Sequence, residues 1–242
     1  MPERLAKFLA RSGVCSRREA ENLIAQKRIT VNGETVETPA FLVSGNETVL
    51  LDGEKIKAKE KTRLWLYHKP SGLITTHKDE KNRDTVFAHL PAGLPRVISI
   101  GRLDLNSEGL LLLTNDGELS RALELPENGW SRRYKIKVHG TVNEKKLKEL
   151  EKGTIIDGIE YAPCKITLDT IQVSNTWLTI TLTEGKNREV RKLMSSIGLT
   201  VARLIRLSYG PFQLGSLKKG EIREVPQKVL KEQLGKSFKL CE

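Results

Sequence analysis

The sequence is poor in the residues that build metal centres and disulfide frameworks. Its three cysteines, Cys15, Cys164 and Cys241, are odd in number and far apart, so reduced, isolated thiols are expected. Its four histidines, His68, His77, His89 and His139, have no ligand spacing, so no metal site is expected. No run of about 18 apolar residues exists, which excludes an apolar membrane-spanning helix. The longest apolar stretch, Leu110 to Leu113, is only strand-sized. Charges at Glu3, Arg4, Lys7, Arg11, Arg17 and Arg18 interrupt every candidate export signal, so a cytoplasmic protein without a membrane partner is expected. A Gly-x-Gly-x-x-Gly fingerprint, a Walker loop and a Gly-x-Ser-x-Gly elbow are all missing. Dinucleotide, nucleotide-hydrolysis and serine-hydrolase chemistry therefore lack their signatures.

What is present is length, leucine and positive charge. At 242 residues the chain can bury a real core without covalent staples. Lysine and arginine total 41 against 30 acidic residues, a net charge of +11. The excess is concentrated: residues 181–223 carry nine basic and three acidic side chains. A clustered basic excess points to a polyanionic partner.

The first 60 residues read as a compact α+β unit. Leu5, Phe8 and Leu9 have helical spacing, and Gly13 is a stop signal. Ser16-Arg17-Arg18-Glu19 forms a capping box that opens a second helix with Ala20, Leu23 and Ile24 inward. Asn32-Gly33 and Asp52-Gly53 each sit between short alternating segments, which predicts two hairpins. The charged stretch from Lys57 to Lys61 predicts a linker. Beyond it, strands are expected at 64–67, 97–100, 110–114, 134–138, 177–182 and 201–207. Helices are expected at 118–123, 143–152, 186–196 and 225–234. That order is α+β, with a mixed, mainly antiparallel sheet, rather than a regular βαβ alternation. The expected division is residues 1–60 and residues 61–242.

Gly101-Arg102-Leu103-Asp104 follows a predicted strand, which places a carboxylate in a loop at a strand end. A carboxylate can act as nucleophile or base without a metal. Apolar surroundings would demand a partner cation, which the 186–196 segment can supply. Taken alone, these four residues better suit a capping or ion-paired surface aspartate.

The ordered motifs narrow the choice. The chain resembles the RsuA/RluB-type ribosomal RNA pseudouridine synthases over nearly its whole length. The first unit resembles an S4 RNA-binding domain through Arg4 to Ala10, Ser16 to Ala20 and Ile29 to Gly33. Lys69-Pro70-x-Gly72 is similar to the family's first core motif. Gly101 to Asp104, with Ser107, Gly109 and the leucine run, is similar to the catalytic motif. Arg133-Tyr134 is similar to the segment that bears the active-site tyrosine, and Glu184 to Leu193 to the third motif. The likeness is strongest to the branch that modifies 23S ribosomal RNA. One departure is Leu125-Pro126, where relatives have His-Pro.

The resemblance implies a role for each matching residue. Asp104 is the catalytic nucleophile, Arg191 its ion-pair partner, Tyr134 the platform for the flipped uracil and Arg102 the residue at the displaced base. RNA contacts are implied for Arg4, Lys7, Ser16, Arg17, Arg18 and Lys27 in the first unit. They are also implied for Lys69, Lys186, Asn187 and Arg188 in the second. Isomerising uridine conserves its atoms, so no cofactor is expected. The expected partner is ribosomal RNA or a subunit assembly intermediate, met by a monomer. A non-enzymatic S4-type ribosome-assembly protein, and the same reaction on tRNA or 16S RNA, remain as alternatives.

Overall fold

The computed structural model describes residues 2–57, 60–170 and 176–235. Cys241, and Ala58 and Lys59 of the expected linker, lie outside the described residues. The architecture is α+β, as the sequence predicts.

Two helices, Leu5–Arg11 and Arg17–Ala25, open the chain. The Ser16 hydroxyl accepts from the Glu19 amide at 3.1 Å, and the Glu19 carboxylate accepts from the Ser16 amide. That reciprocal cap satisfies two amides the helix would otherwise leave open. The strands Ile29–Val31, Glu34–Thr35, Val49–Leu51 and Glu54–Lys55 form an antiparallel sheet. Both expected turns have the positive φ pairs of a tight hairpin: 53° and 90° at Asn32-Gly33, 51° and 86° at Asp52-Gly53. Leu5, Leu9, Ala20, Ile24, Ile29 and Val49 build an apolar core drawn only from this part of the chain.

The rest of the chain is organised by a sheet with nine strands among the described residues. Its order is Lys165–Thr170, Thr176–Leu182, Arg132–His139, Thr200–Tyr209, Ser107–Thr114, Leu64–Lys69 and Ile222–Glu224. Two short strands, Ile98–Ile100 and Phe212–Gln213, pair off this path. Every pairing is antiparallel except that of Ser107–Thr114 with Thr200–Tyr209. All residues of Ser107–Thr114 are buried. The leucine run feeds both faces in alternation, as strand geometry requires. Leu111 and Leu113 join one apolar cluster, under the helices Glu144–Leu150 and Glu189–Ser196. Leu110 and Leu112 join the other, under Gly117–Glu124 and Gln227–Leu234.

The structure departs from the sequence reading at several ends. The third-motif helix begins at Glu189 rather than Lys186, because Arg188 takes a left-handed backbone (φ 52°, ψ 31°) that closes the preceding loop. The last helix begins at Gln227 because Pro226 precedes it in an extended conformation. A hairpin of Thr154–Ile156 with Ile159–Tyr161 was not anticipated, although Asp157-Gly158 is a turn signal of the same kind. Burial pushes the Cys15 and Cys164 thiols up to about 11, so neither is poised to react.

The parallel pair is secured at two adjacent residues. Glu108, opposite Ile205, receives both prongs of the Arg203 guanidinium at 2.9 and 3.0 Å and Lys219 at 2.7 Å. These partners, Arg203 first, bring Glu108 from 4.5 down to about 2. Gly109 lies opposite Arg206 at φ +103°, where an added Cβ would stand 2.3 Å from the Arg206 carbonyl oxygen. Gly109→Ala therefore lowers stability by at least about 2 kcal/mol in urea unfolding, and an unchanged midpoint would contradict this close approach. The Glu108 contribution is complete above its unfolded value of 4.5 and is lost as pH falls toward 2. Glu108→Gln is thus expected to destabilise at neutral pH and progressively less in acid. A destabilisation that stays constant down to about pH 3 would refute the linkage.

Candidate active site

A cleft of about 950 Å³ opens over the ends of the central strands. Asp104, Tyr134, Arg188, Glu189, Arg191 and Arg206 line it, together with the rim residue Arg102. That volume is in the range of cavities that enclose a small molecule or a nucleoside.

Asp104 sits in the loop between Ile98–Ile100 and Ser107–Thr114, with its carboxylate half-exposed. The loop is fixed from below by Lys69, whose side chain is completely buried. The Lys69 ammonium donates to the carbonyls of Pro70 (3.0 Å), Asp104 (3.2 Å), Leu105 (3.4 Å) and Ser107 (2.9 Å). Burial pulls it from 10.5 down to about 8, against the pull of Asp104 and Glu108 in the other direction. Two further contacts come from the segment after Lys69. The Gly72 amide donates to the Leu105 carbonyl at 2.8 Å, and Thr75 Oγ1 donates to the Leu103 carbonyl at 2.9 Å. On the other flank Glu124 accepts from the Gly101 amide at 2.7 Å.

Lys69 was expected on RNA, and the structure corrects this. Pairing of Lys69 with Gly109 at the heart of the sheet turns its side chain inward, out of reach of a polyanion.

The cation at Asp104 is also corrected. Arg188 Nη1 lies 3.4 Å from Asp104 Oδ2, and Arg191, the expected partner, makes no ion pair with it. Arg191 instead donates to the carbonyls of Val201 (2.9 Å) and Asn106 (3.2 Å), and its Nε is buried without a partner among the described residues. Those two carbonyls hold the guanidinium beside the loop backbone, while the left-handed residue at the helix start carries Arg188 to the carboxylate. Burial and the neighbouring Arg188 lower Arg191 from its usual value, and the charge of Asp104 opposes them.

Tyr134 is nearly buried on Arg132–His139, opposite Arg206 on one side and Ile180 on the other. Beneath it, Arg132 and Arg206 both lie against the Tyr209 ring, at 4.6 and 5.3 Å from its centroid. The Tyr209 hydroxyl accepts from Arg132 at 2.8 Å and donates to the Leu123 carbonyl at 2.8 Å. Arg206 donates to the Leu110 carbonyl at 2.7 Å, and its Nη2 has no partner among the described residues. The sequence reading missed these two arginines. Their signals were the alternations Arg132, Tyr134, Ile136, Val138 and Leu204, Arg206, Ser208, each of which places an arginine on the buried face of a strand.

Glu189 was missed as well. It is buried and accepts from the Lys186 amide at 2.9 Å through Oε2, while its Oε1 makes no hydrogen bond within normal geometry among the described residues. Burial, and then the charge of Glu184, push this carboxyl well above the usual carboxylate range. Lys186 pairs with Glu184 and lies over the Tyr161 ring, while Asn187 and Arg188 are exposed at the rim. Arg102 is exposed and makes no side-chain hydrogen bond or ion pair with another described residue.

The expected RNA contacts of the first unit are unequal. Arg4, Arg17 and Arg18 are exposed. Lys7 pairs with Glu118 at 2.6 Å and Lys27 with Glu37 at 2.8 Å. The Ser16 hydroxyl is engaged in its helix cap. Among the described residues no group of three or more His, Cys, Asp or Glu is placed to hold a metal ion.

The chain is similar to known proteins over nearly its whole length. The family described as RNA pseudouridylate synthase matches residues 63–196, and the S4 domain matches residues 3–49. A Rickettsia felis protein named uncharacterized RNA pseudouridine synthase is 48% identical over 230 residues, covering 95% of this chain and 100% of that one. The ribosomal large subunit pseudouridine synthase B of Salmonella typhi is 40% identical over 220 residues, covering 88% of this chain and 76% of that one. A solved pseudouridylate synthase superposes with a TM-score of 0.68 at 26% identity, over 96% of this chain and 99% of that one.

The two arginines of the third motif should separate in mutagenesis. Arg188→Ala removes an exposed pair and costs under about 1 kcal/mol in urea unfolding. Arg191→Ala removes two carbonyl contacts and costs about 1–3 kcal/mol. The reverse order would contradict the assignment of Arg191 as a buttress of the loop.

Proposed function

The chain belongs to the RNA pseudouridine synthases, and from that membership we propose that it isomerises one uridine of 23S ribosomal RNA to pseudouridine. The observation that carries this reading is the Asp104 carboxylate, presented half-exposed in the same cleft as Tyr134 and beside a cation. The likeness to ribosomal large subunit pseudouridine synthase B supports the choice of RNA.

The reaction breaks the C1′–N1 bond, turns the uracil, and joins C5 to C1′. The C5 proton leaves and N1 regains one, so the atoms balance without a redox partner. In this reading residues 1–60 hold the RNA and residues 61–242 perform the chemistry. The target base must first leave its stack, at a cost of a few kcal/mol. Arg102 at the rim takes the place the base vacates, and the Tyr134 ring offers a face worth about 1–3 kcal/mol of stacking. Asp104 then acts as the nucleophile that carries the reacting centre between the two bonds. Arg188 supports its charge, and Arg191 keeps the backbone beneath it in place.

The test is carbodiimide-dependent reverse-transcription mapping on unmodified 23S and 16S transcripts. Wild-type protein should create a stop at a uridine of 23S RNA. Asp104→Asn should create none while binding the same RNA within about twofold, because phosphate contacts supply most of the affinity. Turnover retained by Asp104→Asn would remove Asp104 from the reaction. A stop on 16S RNA alone would overturn the choice of substrate.

A further inference from the structure

Beside the Asp104 cleft lies a second groove, of about 820 Å³, between the first unit and the Gly117–Glu124 helix. Lys7, Arg11 and Arg17 line one side of it, and Arg96 and Arg121 the other. The acids of the groove are already occupied. Asp116 accepts from Thr62 Oγ1 at 2.5 Å and from the Glu118 amide at 2.8 Å. Glu118 pairs with Lys7 at 2.6 Å, and Glu124 accepts from the Gly101 amide and the Ser120 hydroxyl. Arg11 is held by Glu3 and lies over the Phe8 ring. Arg17, Arg96 and Arg121 differ from these: none makes a side-chain hydrogen bond or ion pair with another described residue.

Three guanidiniums therefore share one groove without a carboxylate of the described residues directed at any of them. Like charges gathered in a concave surface focus a positive potential and draw a polyanion. The groove also continues the cleft. Glu124 lines both, and the consecutive residues Ile98 and Ser99 line one each. An anion spanning the two must be long and carry charge at intervals, as a nucleic-acid strand does.

We infer that this groove carries the RNA strand flanking the target nucleotide, with its phosphates against Arg17, Arg96 and Arg121. The inference rests on the reading of the Asp104 cleft as the uridine site. It assigns RNA contacts to Arg96 and Arg121, which lie outside every motif singled out in the sequence. It also gives the Lys7–Glu118 ion pair a purpose, since that pair ties the first unit to the wall of the groove.

The experiment is a salt titration of affinity for the 23S transcript, by filter binding between about 50 and 200 mM salt. The wild type is compared with the double variant Arg96→Ala/Arg121→Ala and with the control Lys145→Ala/Lys148→Ala. The control removes the same charge from exposed positions outside both clefts. Each lost phosphate contact reduces the slope of log affinity on log salt by about 0.7–0.9. The arginine variant should therefore be less steep by about 1.4–1.8, and the lysine variant should match the wild type. An unchanged slope in the arginine variant, or an equal fall in the lysine control, overturns the inference. Thermal melting confirms that both variants fold. Pseudouridine formation by the wild type on the same RNA is scored separately. Its absence would count against the enzyme reading, while the slopes still judge the groove.

Discussion

The site depends on one buried charge. An ammonium in a protein interior is costly unless its donors are satisfied, and Lys69 meets that demand with four backbone carbonyls, two in the Asp104 loop and one at Ser107, where the next strand begins. A loop of carbonyls around a cation is a rigid arrangement, because each oxygen that withdraws leaves charge uncompensated. The cost is visible in the pull of Lys69 down to about 8. The return is a carboxylate held at a strand end by backbone contacts rather than by side chains that a substrate would displace. Such preorganisation is what an electrostatic site requires.

Around that anchor the cations divide by depth. Arg188 and Arg102 stand at the rim, where they can meet RNA. Arg191 lies deeper and braces the loop through the Asn106 carbonyl. Arg132 and Arg206 form the floor, packed against Tyr209. Gly109 and Tyr134 flank Arg206 from opposite edges of its strand: without a side chain at Gly109 the parallel pair closes on the Arg206 backbone, while the antiparallel pair sets Arg206 opposite Tyr134. The same positive charge that attracts the substrate from outside thus also builds the inner site.

Much of this was legible in the sequence, wherever the information is local. The capping box at Ser16, the Asn32-Gly33 and Asp52-Gly53 turns and the alternating leucines each depend on neighbours a few residues away. The motif order gave the fold and the position of Asp104. What the sequence concealed depends on distant partners. Whether Arg188 or Arg191 reaches Asp104 is decided by a left-handed backbone at one residue and by carbonyls at Asn106 and Val201. Lys69 reads as a surface cation until its strand is paired with Gly109. The Asp157-Gly158 hairpin was the exception, a local signal that was present and overlooked.

The most direct test of this account is the turnover number of Lys69→Met, measured beside its affinity for RNA. A buried anchor predicts a folded protein whose kcat falls by about 100-fold, the scale of a 1 Å misplacement in an active site, with RNA affinity unchanged. A folded variant with wild-type kcat and weakened RNA binding would make Lys69 a contact for the substrate and contradict the account.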